Sequence, residues 1–405
     1  MTLQIALIGC GGMGRRHIVG FHKLRQIGRQ DIELVAVCDP FRTNAELARD
    51  RAAELLGTTP AIFASFEELH RALPELDAII VTTPPDLHAA VGVAALEAGV
   101  HVMVEKPIAL TVRQSLQLIE AAERTGRKLA VAENYRRDPI NRLAKALIES
   151  GVLGQVFLGV QSSSGSGERV IITPWRHQRQ SGGIVVDMGI HYTDLLEFFL
   201  GPIDQVMGMS GQVDQERRDT EGVWHPVDAE DLSVGVARFR SGALANWLLN
   251  LAGRGESQFA RIFYGTRGTL SIPRDRSGGA LTLSLRRDSR DTPITEAEQL
   301  ALVPDFALDP TTAALFGDAR LSSYTMPFAD VDANLLAVEL ADFADAILTD
   351  RAPEVTGVEG LRALAVIYAF LESERTGSAV EIEAFMRGEG SLYLAELEPT
   401  TAETR

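Results

Sequence analysis

Cysteine is scarce: the 405-residue chain has only Cys10 and Cys38. They form neither a C-x-x-C pair nor a metal-ligand spacing, so no disulfide framework and no zinc site is indicated. Long apolar runs are missing as well, and none reaches the length of a membrane span. The opening stretch MTLQIALIGCGGMGRR carries its positive charge after a brief apolar run rather than before it, which is not the pattern of a signal peptide. Basic residues are outnumbered, with Lys+Arg 39 against Asp+Glu 55 and a formal net charge of −16. Such a surface repels phosphate backbones, which sets nucleic acid aside as a partner. A local glycine-rich turn can still take an anionic ligand. Internal repeats and low-complexity tracts are absent. What remains has ordinary globular composition, 45% hydrophobic and 23% charged, in a length that suggests two domains. The expectation is a protein of the reducing cytoplasm with no membrane partner.

The first ~130 residues alternate apolar runs with amphipathic stretches. The runs are QIALIG (4–9), IELVAVCD (32–39), AIFAS (61–65), DAIIVTTP (77–84), HVMVEKP (101–107) and KLAVAEN (128–134). Helical patterns lie near 13–29, 42–56, 86–98 and 111–125. Near-continuous apolar strands separated by helices predict a doubly wound parallel sheet. After about residue 150 the pattern becomes one of successive strands and turns, at 155–163, 231–239, 242–251, 260–265 and 281–287, which reads as a mostly antiparallel sheet. A helix over 184–199 is expected to pack on it, and helical patterns near 334–349 and 357–375 to close that domain. The stretch 288–330 has no sustained period and reads as an irregular insertion. The expected division is therefore 1–132 for the parallel-sheet domain, 133–390 for an α+β domain, and 391–405 for a frayed tail. The fold class is α/β followed by α+β.

Residues 9–14 read GCGGMG, so Gly9, Gly11 and Gly14 fit G-x-G-x-x-G, after a strand and at the start of a helix. In that context the glycines permit a tight turn, close approach of a pyrophosphate and close helix–strand packing, with the phosphates at the positive end of the helix. Asp39 ends the second strand, where a carboxylate would bond the adenosine ribose and repel a 2′-phosphate. NAD is thus expected over NADP, although Arg42 lies close by; Asp39 could also be only a turn residue before Pro40. Thr82, Thr83 and Pro84 fall at the carboxyl edge of the fourth strand, in the crevice or simply in a Thr/Pro loop before a helix. A buried strand then ends in Glu105–Lys106–Pro107. Lys106 would point into the ligand crevice, where a lysine beside a positively charged nicotinamide could share in proton transfer; a solvated lysine is the plain alternative.

The helix GGIVVDMGIHYTDLLEFF (182–199) poses the sharpest question. Its apolar content suits a buried helix, yet Asp187, His191 and Asp194 fall within an arc of roughly 60°. A structural polar network would explain the stripe, and a metal reading lacks a third ligand. Oxidation of a secondary alcohol explains it more fully, because a base must take the hydroxyl proton while hydride goes to a nicotinamide. His191 suits that role, with Asp187 one turn earlier to orient it and Asp194 to bond a further hydroxyl.

GCGGMG, CDP, TTPPDLH, EKPIAL and GGIVVDMGIHYTDLL, in this order, resemble the glucose–fructose oxidoreductase, inositol dehydrogenase and rhizopine-catabolism family (Gfo/Idh/MocA). The resemblance runs to about residue 385 and includes GLRALAVIYAFLESERTGSAVEI. It implies a Rossmann domain, a domain with a large antiparallel sheet through which dimers or tetramers often assemble, and oxidation or reduction of a hydroxyl on a sugar, inositol or related polyol. Lys106 matches the family's active-site lysine, Asp187 and His191 its acid–base pair, and Gly182, Gly183 and Gly189 its helix-entry glycines. The cofactor set then comprises Gly9, Gly11, Gly12, Met13, Gly14, Asp39, Thr82, Thr83, Pro84, His88, Glu105 and Lys106. Asn134, Tyr135, Arg136, Trp175 and Arg176 join Lys106, Asp187, His191 and Asp194 as candidates for the substrate; Trp175 could stack on a sugar face or merely pack in a loop. No metal is implied. Two alternatives stay open: an NAD-recycling glycosidase acting through a 3-keto sugar, and a non-catalytic sensor of sugar or NAD.

Overall fold

The computed structural model describes residues 2–389 and 391–397. It divides into two compact units. The first holds the chain up to Pro139 together with Ala307–Arg320 and Met326–Gly360, and the second holds Ile140–Phe306, Leu321–Thr325 and the chain from Leu361 on.

The first unit is built on six strands: β1 (Leu3–Ile8), β2 (Ile32–Cys38), β3 (Ala61–Phe63), β4 (Ala78–Val81), β5 (His101–Glu105) and β6 (Leu129–Ala132). They are parallel and lie in the order β3-β2-β1-β4-β5-β6. The order reverses beside β1, so a crevice opens at the carboxyl ends of β1 and β4. Helices α1 (Gly12–Gln26), α2 (Arg42–Leu56), α3 (Phe66–Ala72), α4 (Pro85–Glu97) and α5 (Val112–Thr125) make the crossovers. Local chemistry sets their ends. Thr111 and Gln114 form a capping box at the start of α5, and Gly126 closes it in the left-handed conformation. Helix α3, overlooked by the apolar pattern, starts at the Ser65 cap.

Helix Phe328–Leu348 also belongs to this unit, not to the second as its sequence position suggested. It lies so close to α1 that a Cβ on Gly20 would sit 3.0 Å from Leu340 Cδ1 and 3.3 Å from the Ala337 nitrogen. Ion pairs Lys23–Asp330 at 2.9 Å, from α1, and Arg29–Asp345 at 2.7 Å, from the turn after it, tie the helix down. Apolar periodicity marks a buried helix face but not which domain buries it. The expected boundary at 132 also moves, because the turn after β6 stays with the first unit through Pro139.

In the second unit α6 (Pro139–Glu149, from Ile140 on) precedes β7 (Val156–Ser166), α7 (Ile184–Leu200) and β8 (Ile203–Gly211). A small hairpin follows, β9 (Glu216–Arg218) with β10 (Trp224–Pro226), then β11 (Leu232–Phe239), β12 (Leu244–Gly253), β13 (Gln258–Gly265), β14 (Gly268–Ile272), β15 (Thr282–Arg287), β16 (Arg290–Ile294) and β17 (Val380–Glu381). Nine strands form one sheet in the order β16-β15-β14-β13-β7-β12-β11-β8-β17. Every neighbouring pair is antiparallel except β7 with β12. Helix α7 and residues 361–376 cover its inner face, where Phe199 meets Phe263 at 5.2 Å and Phe370 stacks on Trp247 at 5.2 Å.

The stretch 288–330 is not one irregular insertion. It holds β16, a helix Glu296–Leu302 opened by a Thr295–Glu298 capping box, and a helix Pro310–Phe316 capped by Asp309. Elements this short never complete enough turns to show a period. The expected tail is corrected in part too: Leu392–Leu397 form a helix with Tyr393 and Leu394 buried, while 398–405 lie outside the described residues. Among the described residues no helix is long and apolar enough to cross a membrane.

Candidate functional site

The glycine-rich turn joins β1 to α1. Gly9 has φ +94, and a Cβ there would lie 2.8 Å from the carbonyl carbon of Thr82 and the nitrogen of Thr83. A Cβ on Gly14 would run into the Gly9 carbonyl oxygen. These two glycines are demanded by the fold itself. Gly11 and Gly12 differ, because no described atom comes within 4 Å of a Cβ at either position. Gly11 caps α1 without a side-chain bond, and the first turn bears no acidic side chain. Open space therefore lies over exposed N–H groups at a positive helix end, which suits a diphosphate. Met13 follows, its sulfur 3.4 Å from Arg16 Nη1.

Asp39 is 6% exposed at the end of β2. Its carboxylate accepts from the Cys10 N–H and the Phe41 N–H, both at 2.8 Å. Part of the turn-residue reading is thus real, and it fixes the carboxylate against the glycine turn. Arg42 pairs with Glu46 at 2.8 Å. Thr82 donates its hydroxyl to the Gly9 carbonyl, which ties the β4 loop to the turn. The buried Thr83 Oγ1 has no hydrogen-bond partner among the described residues. With the open cradle at Gly11 and Gly12, this hydroxyl fits a dinucleotide along the carboxyl edge.

His88 and Glu105, expected in the cofactor set, both make contacts within the protein. His88 is buried, with Nδ1 2.9 Å from the Pro107 carbonyl and Nε2 2.8 Å from the Thr83 carbonyl. The ring lies between the two carbonyls, so the side chain bridges the Thr83 loop and the Lys106–Pro107 turn, whose peptide is cis. Burial lowers its pKa despite the two carbonyls. Glu105 turns inward to His17, at 2.7 Å. Lys106 follows directly after β5 and is half-buried. Asn134, Tyr135 and Arg136 sit in a buried turn after β6, where the Tyr135 N–H donates to Glu133 Oε1 at 3.0 Å. Asn134 Oδ1 is buried without a partner among the described residues.

In the second unit, α7 begins where Gly182 and Gly183 take positive φ values of 94 and 83. A Cβ on Gly183 would lie 2.8 Å from Ala229 Cβ, and one on Gly189 2.7 Å from Ile367 Cδ1. The helix is thereby pressed onto its neighbours while Asp187, His191 and Asp194 line one face, all buried. Asp187 accepts from Arg176 Nη1, and the Arg176 guanidinium lies 4.8 Å over the Trp175 ring. Trp175, Arg176 and Asp187 are thus one connected group. Tyr192 on the same helix is buried under Arg261, and burial, with Asp275 close by, raises its phenol pKa.

Sequence reasoning missed His17, Glu339 and Arg179. His17 occupies a core position of α1 beside Gly14, Ile18 and Phe21, which was a legible signal. Glu339 lies in the apolar run of helix Phe328–Leu348, 1% exposed, with no hydrogen-bond partner for either carboxyl oxygen among the described residues. Arg179 gave no signal.

The model of an oxidoreductase family's NAD-binding Rossmann fold matches residues 3–133, and the model of the same family's C-terminal alpha/beta domain matches 145–382. Levoglucosan dehydrogenase of Pseudarthrobacter phenanthrenivorans is 28% identical over 296 residues, covering 68% of this chain and 74% of that protein. The 1,5-anhydro-D-fructose reductase of Ensifer adhaerens is 28% identical over 391 residues, covering 93% and 98%. The crystal structure of an oxidoreductase domain protein from Kribbella flavida matches with TM-score 0.77 at 25% identity, over 94% of this chain and 100% of that one.

Proposed function

The chain belongs to the Gfo/Idh/MocA oxidoreductase family, and from that premise we propose that it transfers hydride between NAD(H) and a secondary hydroxyl or ketone of a sugar, inositol or related polyol. One observation carries the reading: a helix buried on nearly every side devotes one face to Asp187, His191 and Asp194, in a chain that also carries a dinucleotide-type glycine turn. Two relatives, named for levoglucosan and for 1,5-anhydro-D-fructose, support a sugar substrate.

In this proposal Lys106, Asp187 and His191 are the acid–base set. NAD supplies the hydride acceptor at nicotinamide C4. His191 takes the proton of the substrate hydroxyl at an imidazole nitrogen. Asp187, held by Arg176, keeps the imidazole oriented and stabilises its cationic form. The Lys106 ammonium stabilises the developing alkoxide, while Asp194, Asn134, Tyr135, Arg136 and Trp175 hold the remaining hydroxyls and the sugar face. Asp39 and the pairing of Arg42 with Glu46 favour NAD, because neither leaves a cation for a 2′-phosphate.

Two further parts of the reading concern setting and assembly. Cys10 and Cys38 are buried thiols whose pKa values are pushed up to about 12 by burial and then by Asp39, which suits a reducing cytoplasm. The outer sheet face is apolar: Met209 opposes Val234 and Met207 opposes Val236, with Met209 73% and Val236 55% exposed. An exposed apolar patch of this kind on a sheet face suits a second copy of the chain.

The test is the absorbance of reduced nicotinamide with NAD⁺ and separately NADP⁺ over inositols, aldoses and anhydrosugars. Turnover with NAD⁺ that disappears in Lys106→Ala and His191→Ala supports the proposal. A clear preference for NADP⁺ removes the role given to Asp39, and tight NAD binding without turnover of any panel sugar moves the reading to a recycling or sensing role.

A further inference from the structure

The chain continues past residue 382, where the family's C-terminal match ends, into the helix Leu392–Leu397. That helix is anchored from two directions. Glu372, buried on helix Gly357–Thr376, accepts from Ser391 Oγ at 2.9 Å, the Leu392 N–H at 3.0 Å and the Tyr393 N–H at 2.8 Å. Tyr393 is 1% exposed and packs against Tyr368 with ring centroids 5.8 Å apart.

The other direction leads to the substrate side of the unit. The Tyr393 hydroxyl donates to Glu230 Oε2 at 2.8 Å. The second oxygen of Glu230 pairs with Arg179 at 2.6 Å. Arg179 also reaches Glu396 on the same short helix at 2.7 Å, and its guanidinium lies 5.5 Å over the Tyr393 ring. Arg375 pairs with Glu396 at 3.1 Å and balances the second carboxylate. Arg179 stands in the turn between Trp175–Arg176 and the Gly182–Gly183 start of α7. Its own N–H donates to Asp228 Oδ1 at 2.7 Å, and the N–H groups of Asp228 and Ala229 donate to the His177 carbonyl at 3.3 and 3.2 Å.

A segment that ends in two positive-φ glycines and holds Arg176 on Asp187 is therefore stitched to 228–230, and that seam is locked by a helix from the chain's far end. We infer that Arg179 is a positioning residue for the substrate side of the reaction, held by Glu230, Tyr393 and Glu396 so that the 174–183 segment keeps Arg176 on Asp187. This inference rests on the proposed oxidoreductase reading only for its kinetic arm. The bonds are charge-assisted and buried at the Glu230 end, where they are strongest. Burial, with Glu230 close by, raises the phenol pKa of Tyr393, so it remains a donor across the neutral range.

The test compares the full chain with Arg179→Ala, Arg179→Lys, Tyr393→Phe and a chain ending at Gly388, by hydrogen exchange and by steady-state kinetics. Expected is exchange about ten-fold faster at 174–183 in Arg179→Ala and in the shortened chain, less so in Tyr393→Phe, with recovery in Arg179→Lys and unchanged exchange in β1–β6. Because Arg176 on Asp187 keeps the His191 imidazole oriented, kcat should fall about ten-fold with the sugar KM within about two-fold and NAD affinity unchanged. Unchanged exchange at 174–183 in both Arg179→Ala and the shortened chain overturns the inference. So does a uniform rise across the second unit, which would mean general loosening. If the wild-type chain turns over no sugar, the oxidoreductase reading fails, and hydrogen exchange still decides this one.

Discussion

His17 Nε2 lies 2.7 Å from Glu105 Oε1, and both side chains are buried. The pair joins α1, which begins at the glycine turn, to the end of β5, which places Lys106. Burial pushes the Glu105 carboxyl up, but the His17 bond and the charges of His17, Lys106 and Arg16 pull it further down, to a net value below 4.5. The unfolded chain then binds the proton more readily, so this contribution to stability is present above pH 4.5 and is lost as the pH falls through the folded value. His17→Ala leaves a carboxylate buried without its partner and should destabilise the protein by about 3–5 kcal/mol. Glu105→Gln keeps a hydrogen bond to the ring and should cost markedly less. Denaturant unfolding at neutral pH ranks the two; equal losses would mean that the ion pair is not what holds the contact.

Glu339 has the opposite titration. Burial raises its carboxyl well above 4.5, and the charge of Glu105 raises it further, with Glu133 and Asp332 adding and Arg137 opposing. Below pH 4.5 both states are protonated. Above it the unfolded chain ionises while the native chain cannot do so readily, so native stability falls as the pH rises through the folded value. Glu339→Gln removes this penalty. The variant should melt a few degrees above the wild type at pH 7, and the two should converge near pH 4.5. A melting difference that does not change with pH would assign the effect to packing.

The glycine turn separates folding from ligand binding. Gly14→Ala drives a methyl into the Gly9 carbonyl and should lower the melting temperature as well as abolish NADH binding. Gly11→Ala meets no described atom within 4 Å, so the fold should be intact, with melting within about 2 °C of wild type. It should nevertheless weaken NADH by about 100-fold, because the methyl occupies the space over the helix N-terminus that a pyrophosphate needs. Thermal melting and NADH fluorescence titration on the two variants decide it. NADH binding that survives Gly11→Ala would move the diphosphate away from this turn.

Much of this was legible in the sequence because the signals were local. Gly9, Gly11 and Gly14 reveal a dinucleotide-type turn because their spacing follows an apolar strand and opens a helix, and a buried parallel sheet announces itself in runs such as IELVAVC. The stripe of Asp187, His191 and Asp194 needed only the helical period. What stayed hidden depends on partners far apart in the chain. The place of the His88 ring between the Thr83 and Pro107 carbonyls joins two loops that are far apart in the chain. Helix Phe328–Leu348 carries an apolar pattern that either domain could bury, and only the close approach of Gly20 to Leu340 and Ala337 decides for α1. Arg179 reads as one more surface arginine, since its carboxylates come from residues 230 and 396.

The outer face of the nine-stranded sheet gives the last expected outcome. Cross-strand neighbours Met209–Val234 and Met207–Val236 continue into Leu244 on β12, which faces Arg238, and all five apolar side chains are exposed. On this surface a charge meets no fold-stabilising partner, since the side chain points away from α7 and residues 361–376. Val236→Glu with Met209→Glu should therefore leave melting nearly unchanged in the isolated chain, while two facing copies would bring like charges into an apolar contact at a cost of several kcal/mol. Light scattering after size exclusion should show the wild type as a dimer or tetramer and the double variant as a monomer. If the variant keeps the wild-type mass, the copies meet elsewhere. A wild type that is monomeric at micromolar concentration would leave this apolar face to a different partner.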